Sequence, residues 1–447
     1  MKRKYIKAAG AMAMLLAFAS CEKALDIDPR QDISAELALS SPQDVENALT
    51  GGFAVMGYAQ LYGTNLILVP ELLANDDYIQ WVGTFDSYQD VADRSTMLAT
   101  NAEATRTWSA AYRAINIANT VMSSLDIFSD PQQRNAAESR ALFIRAVMHF
   151  ELVRLYALPY VAGGANGQPG IPLVLQAVKT TDDLHTSKAR NTVAEVYTQV
   201  ENDLTAAITR DPGNFAAMAM LARVYLQEGK HAEARDMANT VITTGGYELA
   251  GLEEPFRVDH SDENIFEIEQ DEQVNAGTSN DGLATFFSSL PDNYGRADVR
   301  VAPAFAATFL PTDLRRTQLM YPGRAGGLFT RKWSDYYDNI PVIRLTEMYL
   351  IRAESNLRLG TAVGAAPVSD INAIRVRAGL TPLAVVTIGQ VLEEREKELA
   401  FEGFRLHDYK RTQRAIGSRP YNSPELILPI PDREMNANPE LVQNEGY

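Results

Sequence analysis

The residues best suited to chemistry are five histidines, one cysteine and 57 carboxylates, and their spacing argues against catalysis. His149, His185, His231, His260 and His407 form no HExxH pair, and the lone Cys21 cannot build a thiolate zinc site. There is no GxSxG elbow and no Walker A run; "GGANGQPG" has the glycines of a loop without the strand-then-helix context that cradles phosphate. Glycoside hydrolysis needs only two carboxylates at a suitable separation, so motif alone leaves a glycan-degrading enzyme as an alternative. The acids of "EEREKELAFEGFR" stand among Arg395, Lys397 and Arg405 and read as a solvated or ion-paired helix face. No catalytic residue, resident metal or cofactor is therefore expected, although Asp76 and Asp77 leave a structural calcium open because calcium sites need no single spacing.

Other side chains suit binding. The stretch "ELLANDDYIQWVGTFDSYQD" reads as a loop carrying Asp77, Tyr78, Trp81 and Tyr88; later stretches add Tyr294, Arg296, Trp333 and Tyr336. Rings can stack on the apolar C–H faces of sugars while carboxylates, amides and arginine meet the hydroxyls. These eight residues are the candidate ligand contacts, and Trp108, inside a helical stripe, is assigned to the core.

The elements that must position them are helical. Ser41 and Pro42 open a helix with Val45, Ala48, Leu49, Phe53 and Met56 on one face; a second carries Trp108 to Met122, and a third runs from Asn135 to about Tyr156. Ala222 and Gly229 stand seven apart, as do Ala353 and Gly360, so at least two helix pairs share a tetratricopeptide-like plan. The expected fold is mostly α: tetratricopeptide-like pairs in a single large domain, with long irregular loops and a little β. Within a domain at 41–447, the helical part about 41–246 precedes a loop-rich part about 247–340, where "NIFEIEQ" alternates. A helical part and proline-rich extended tail occupy about 341–447.

At the N-terminus, Lys2, Arg3, Lys4 and Lys7 precede an apolar run from Ala8 to Ala19, the pattern of a signal peptide over residues 1–20. "LLAFASC" places Cys21 where bacterial lipidation requires it, with Phe18 an unusual occupant, and 21–40 reads as a tether. Acyl chains there would fasten the protein to a membrane. The formal net charge of −16 opposes nucleic acid as a partner.

Taken with the lipobox, "WSAAYRAINIAN", "SRALFIRAVMHFELVRLYALPY", "RLTEMYLIRAESNLRLG", "INAIRVRAGL", "EREKELAFEGFRLHDYKR" and "LPIPDREMNANPELVQNEGY" resemble the SusD/RagB outer-membrane lipoproteins of Bacteroidetes-type bacteria. The resemblance runs from Cys21 to Tyr447. It implies a non-enzymatic protein that captures an oligosaccharide or other small nutrient and passes it to a TonB-dependent outer-membrane transporter, on the cell exterior. It also implies that Trp81 and the aromatics from Tyr294 to Tyr337 lie in ligand-facing regions. Glu22, Lys23 and Ala24 only partly match the acidic run that directs such lipoproteins outward. A tetratricopeptide-type protein adaptor is the second alternative.

Overall fold

The computed structural model describes residues 39–179, 188–277, 280–290, 295–324 and 326–447. The expected signal peptide, Cys21, the tether up to residue 38 and Tyr294 lie outside the described residues.

Ser41 opens α1 (Pro42–Met56): its side chain accepts from the Asp44 N–H, and Pro42 fills the first turn, where a missing donor does no harm. Next come α2 (Asn65–Leu73), buried at every position, β1 (Ile79–Trp81) and α3 (Asp86–Asp93). The stretch expected to be a loop around Tyr78 to Tyr88 is thus largely strand and helix. Its three-residue strand exists because Val299–Val301 pairs with it from far along the chain.

Asn101 caps α4 (Ala102–Met122). Then α5 (Pro131–Tyr156) starts ahead of Asn135, because Asp130 supplies a side-chain cap and Pro131 a compatible first turn. A Thr192–Glu195 capping box opens α6 (Val193–Arg210), followed by α7 (Phe215–Glu228) and α8 (His231–Thr244). After the irregular segment come α9 (Leu345–Leu359), α10 (Pro367–Arg377), α11 (Ile388–Glu398) and α12 (Arg405–Arg411).

Helices adjacent in this order pack on one another: α4 on α5, α5 on α6, α7 on α8, α8 on α9, and α9 on α10. Gly229 ends α7 at φ 74° and Gly360 ends α9 at φ 66°, the left-handed caps that the shared spacing requires. Buried two-pronged arginine clasps lock these contacts. Arg145 of α5 holds Asp203 of α6 at 2.7 and 2.8 Å, Arg223 of α7 holds Glu347 of α9 at 2.7 and 2.9 Å, and Arg352 of α9 holds Asp370 of α10 at 2.7 and 2.9 Å. Each fixes relative position more than it adds stability, since desolvation offsets much of the attraction.

The segment between α8 and α9 carries the remaining strands: β2 (Asn264–Ile268), β3 (Val299–Val301), β4 (Met320–Pro322), β5 (Leu328–Thr330) and β6 (Ile340–Arg344). An antiparallel sheet runs β1-β3-β5-β4, with Trp81 opposite Val299, and β2 pairs with β6.

Of the solvated and ion-paired alternatives for the "EEREKELAFEGFR" face, Glu394, Arg395, Glu398 and Glu402 take the ion-paired one, and they do so buried; Arg344 grips Glu402 at 2.8 and 2.9 Å and Arg315 reaches Glu394 at 2.6 Å. The tail is extended except for a short helix, Asp432–Ala437, tolerated because Pro431 precedes its first turn. That tail returns to α5: the Leu428 N–H donates to the Leu155 carbonyl at 2.8 Å, and Asn444 Nδ2 to the Tyr156 carbonyl at 2.8 Å.

Candidate ligand-binding site

Trp81, on β1, meets Tyr88 of α3 at 5.2 Å and Phe286 at 5.8 Å between ring centroids, and Tyr88 meets Phe286 at 5.1 Å. Only 8% of Trp81 and 1% of Tyr88 is exposed. Both were expected at the surface and instead form its foundation, because α3 folds over the strand. On top sits Phe85, 36% exposed, with the Arg296 guanidinium 4.6 Å from its centroid. Arg296 is held in turn by Asp298 at 2.8 Å and Thr84 at 2.9 Å. Burial raises the Asp298 carboxyl above its usual range, and Arg296 opposes the rise. Gly83 makes this possible: a Cβ there would lie 2.5 Å from the Trp81 ring and 2.7 Å from Asp298.

A polar seam leads from this patch. Ser87 donates to Glu103 at 2.9 Å, and Arg106 pairs with both Glu103 and Asp281. Asp281 lines a groove of about 300 Å³ with Tyr58, Gln60, Gln273 and Asn275. Tyr58 is 39% exposed, with Arg113 5.7 Å from its ring. The groove shares Ala54, Glu269, Gln270 and Val274 with a cleft of about 640 Å³, where Phe53 and Phe266 meet at 6.2 Å. Asp259, Glu267, Glu269 and Asp271 make that cleft acidic; His260 is the one basic side chain among its described lining residues. Open ring faces beside amides and carboxylates suit an uncharged, hydroxyl-rich chain.

The other predicted contacts lie elsewhere. Tyr78 stacks on Phe401 at 5.3 Å, and its hydroxyl accepts from the Phe401 N–H at 2.6 Å. Trp333 donates Nε1–H to the Phe401 carbonyl at 2.6 Å and packs on Phe256. These two are interior residues. Tyr336 is also buried, pressed against Gly277. Asp77 is exposed, at a positive φ of 54°. Of the named set, Arg296 reaches the patch surface with Trp81 and Tyr88 beneath it. Sequence reasoning missed Tyr58 and Phe85. Their signal was position: one follows Gly57 at a helix end, and the other precedes the first turn of α3.

Among the described residues no group of three or more histidines, cysteines or acids is placed to hold a metal ion, and no helix is long and apolar enough to cross a membrane.

A SusD-like family model, described as starch-binding and associating with the outer membrane, matches residues 25–226, and a SusD family model matches residues 324–423. The chain belongs to the SusD/RagB family. SusD-like protein P2 of Formosa agariphila is 25% identical, over 98% of each chain. The starch-binding protein SusD of Bacteroides thetaiotaomicron is 32% identical over 28% of this chain and 27% of its own. The crystal structure of a SusD superfamily protein from Bacteroides thetaiotaomicron covers 90% of this chain and 99% of its own, with a TM-score of 0.81 at 25% identity. In this SusD-like chain the stretch between the two family matches supplies one wall of the groove and Arg296, while the matched part supplies Tyr58 and Phe85.

Proposed function

We propose that this chain is a lipid-anchored, non-catalytic glycan-binding protein of the outer membrane. It takes an oligosaccharide onto the surface from Tyr58 to Phe85 and passes it to a TonB-dependent transporter. Cys21 carries the acyl chains, and the protein faces the cell exterior. The observation that carries the glycan reading is the groove and cleft that share one wall and are lined by rings, amides and carboxylates, on a SusD-type frame. The relative named as starch-binding supports the same class of ligand. Arg296 contributes a planar donor beside Phe85; Trp81 and Tyr88 act as support from below, and the exposed acid Asp77 is kept as a proposed contact. Tyr294, two residues before Arg296, remains a proposed contact. No carboxylate pair need act on the glycosidic bond, because capture and release suffice.

Calorimetry against a panel of neutral oligosaccharides tests this reading. Binding without new reducing ends is the expected result. Tyr58→Ala and Phe85→Ala should each weaken it about tenfold, the loss of roughly 1.4 kcal/mol of ring stacking. Trp81→Ala should lower the melting temperature as well, because it empties part of the foundation. Unchanged affinity in the Tyr58/Phe85 double variant rejects the site, and released reducing ends reject the non-catalytic assignment. Failure of the transporter to co-purify with the protein from membranes would reject the handover.

A further inference from the structure

A separate cavity of about 10 Å³, room for one water-sized occupant, lies where α5, the Leu158–Tyr160 turn, α6, α7 and α12 meet. Its ionisable side chains other than tyrosine are all basic: Arg154, His407, Lys410 and Arg411. Arg411 is fully engaged, holding Glu354 through two bonds of 2.8 Å and Asp408 at 2.7 Å. Arg154 pairs with Glu151, which also accepts from the Tyr62 hydroxyl at 2.9 Å, and Arg154 Nε is left without an acceptor. Lys410 Nζ and His407 Nε2, in side chains 3% exposed, have no hydrogen-bond partner among the described residues.

The acids held by Arg411 and Arg154 are thus already used, and Lys410 Nζ bonds to no acid among the described residues. Burial and the Arg154 charge push its ammonium down to about 7. The same neighbours, with burial first, hold the His407 imidazolium well below its usual range. A buried donor left unmade is strongly unfavourable, more so when charged, and close-packed interiors rarely leave such a group beside a hole of its own size.

We propose that this cavity binds one small monatomic anion of the halide class, with Lys410 as its charge partner and Arg154 and His407 as flanking donors. A chloride is only slightly larger than water, and it supplies the one charge the site lacks. It would tie α12 to α5, and so join the C-terminal helices to the N-terminal array.

The full folded protein, crystallised and soaked in sodium bromide, should show an anomalous bromine peak beside Lys410 Nζ. Density without anomalous signal, meaning water, overturns the proposal. In solution the melting temperature should be a few degrees higher in sodium chloride than in sodium gluconate at equal ionic strength, and Lys410→Met should remove the difference. A Met variant that keeps the full difference also overturns it, and if that variant does not fold, the bromide crystal decides.

Discussion

Glu71 shows what burial does to one carboxyl. It is fully enclosed, and one oxygen accepts from the Gly403 N–H at 2.6 Å. Burial pushes its pKa up to about 8, against the partial relief given by that bond and by Arg405. A folded value above the unfolded one means that Glu71 contributes most below pH 4.5, and that this contribution is lost as pH rises through about 8. Glu71→Gln should therefore raise the melting temperature at pH 8 and change it little at pH 4, as followed by circular dichroism; equal shifts at both would refute the assignment. Glu398 has the opposite sign. Burial alone would raise it, but Arg377, Arg315 and Arg344 hold it at about 2, so its contribution is present above pH 4.5 and disappears as pH falls through about 2.

Helix hairpins were readable from local spacing, because a left-handed cap needs only the glycine and the turn before it. Gly229 and Gly360 are the proof, and they differ in one respect. A Cβ on Gly360 meets open space, whereas one on Gly229 would lie 2.8 Å from the Ala162 Cβ. Gly360→Ala should lower stability by about 1 kcal/mol, from the left-handed backbone alone, and Gly229→Ala by more, measured as the shift in urea midpoint. Equal losses would mean that the Ala162 contact yields freely. β1 could not be read the same way: its pairing with Val299–Val301 is set far along the chain. Nor could the direction of Trp81, Tyr88 and Trp333, since an aromatic on a short segment looks alike in sequence whether a neighbour covers it or solvent does. The arginine clasps were equally hidden, because charge and spacing do not say which of many acids an arginine will meet.

Charge is a property of the entire surface, and at −16 it sets which ligands approach easily. With acids lining the larger cleft as well, the proposed glycan is a neutral one. Its affinity should change little between low and high salt. An oligosaccharide of equal length bearing uronate or sulfate groups should bind more weakly at low salt, and the gap should narrow as ions screen the repulsion. Calorimetry at two ionic strengths checks this, and equal or tighter binding of the charged chain at low salt would refute it.

Because residues near 428 and 444 bond to the final carbonyls of α5, assembly cannot finish in the order of synthesis. A ribosome stalled before Leu428 holds a half-shut molecule whose first half still lacks its latch. Such distant closure slows folding. Truncations from this end should fail as a unit, not residue by residue.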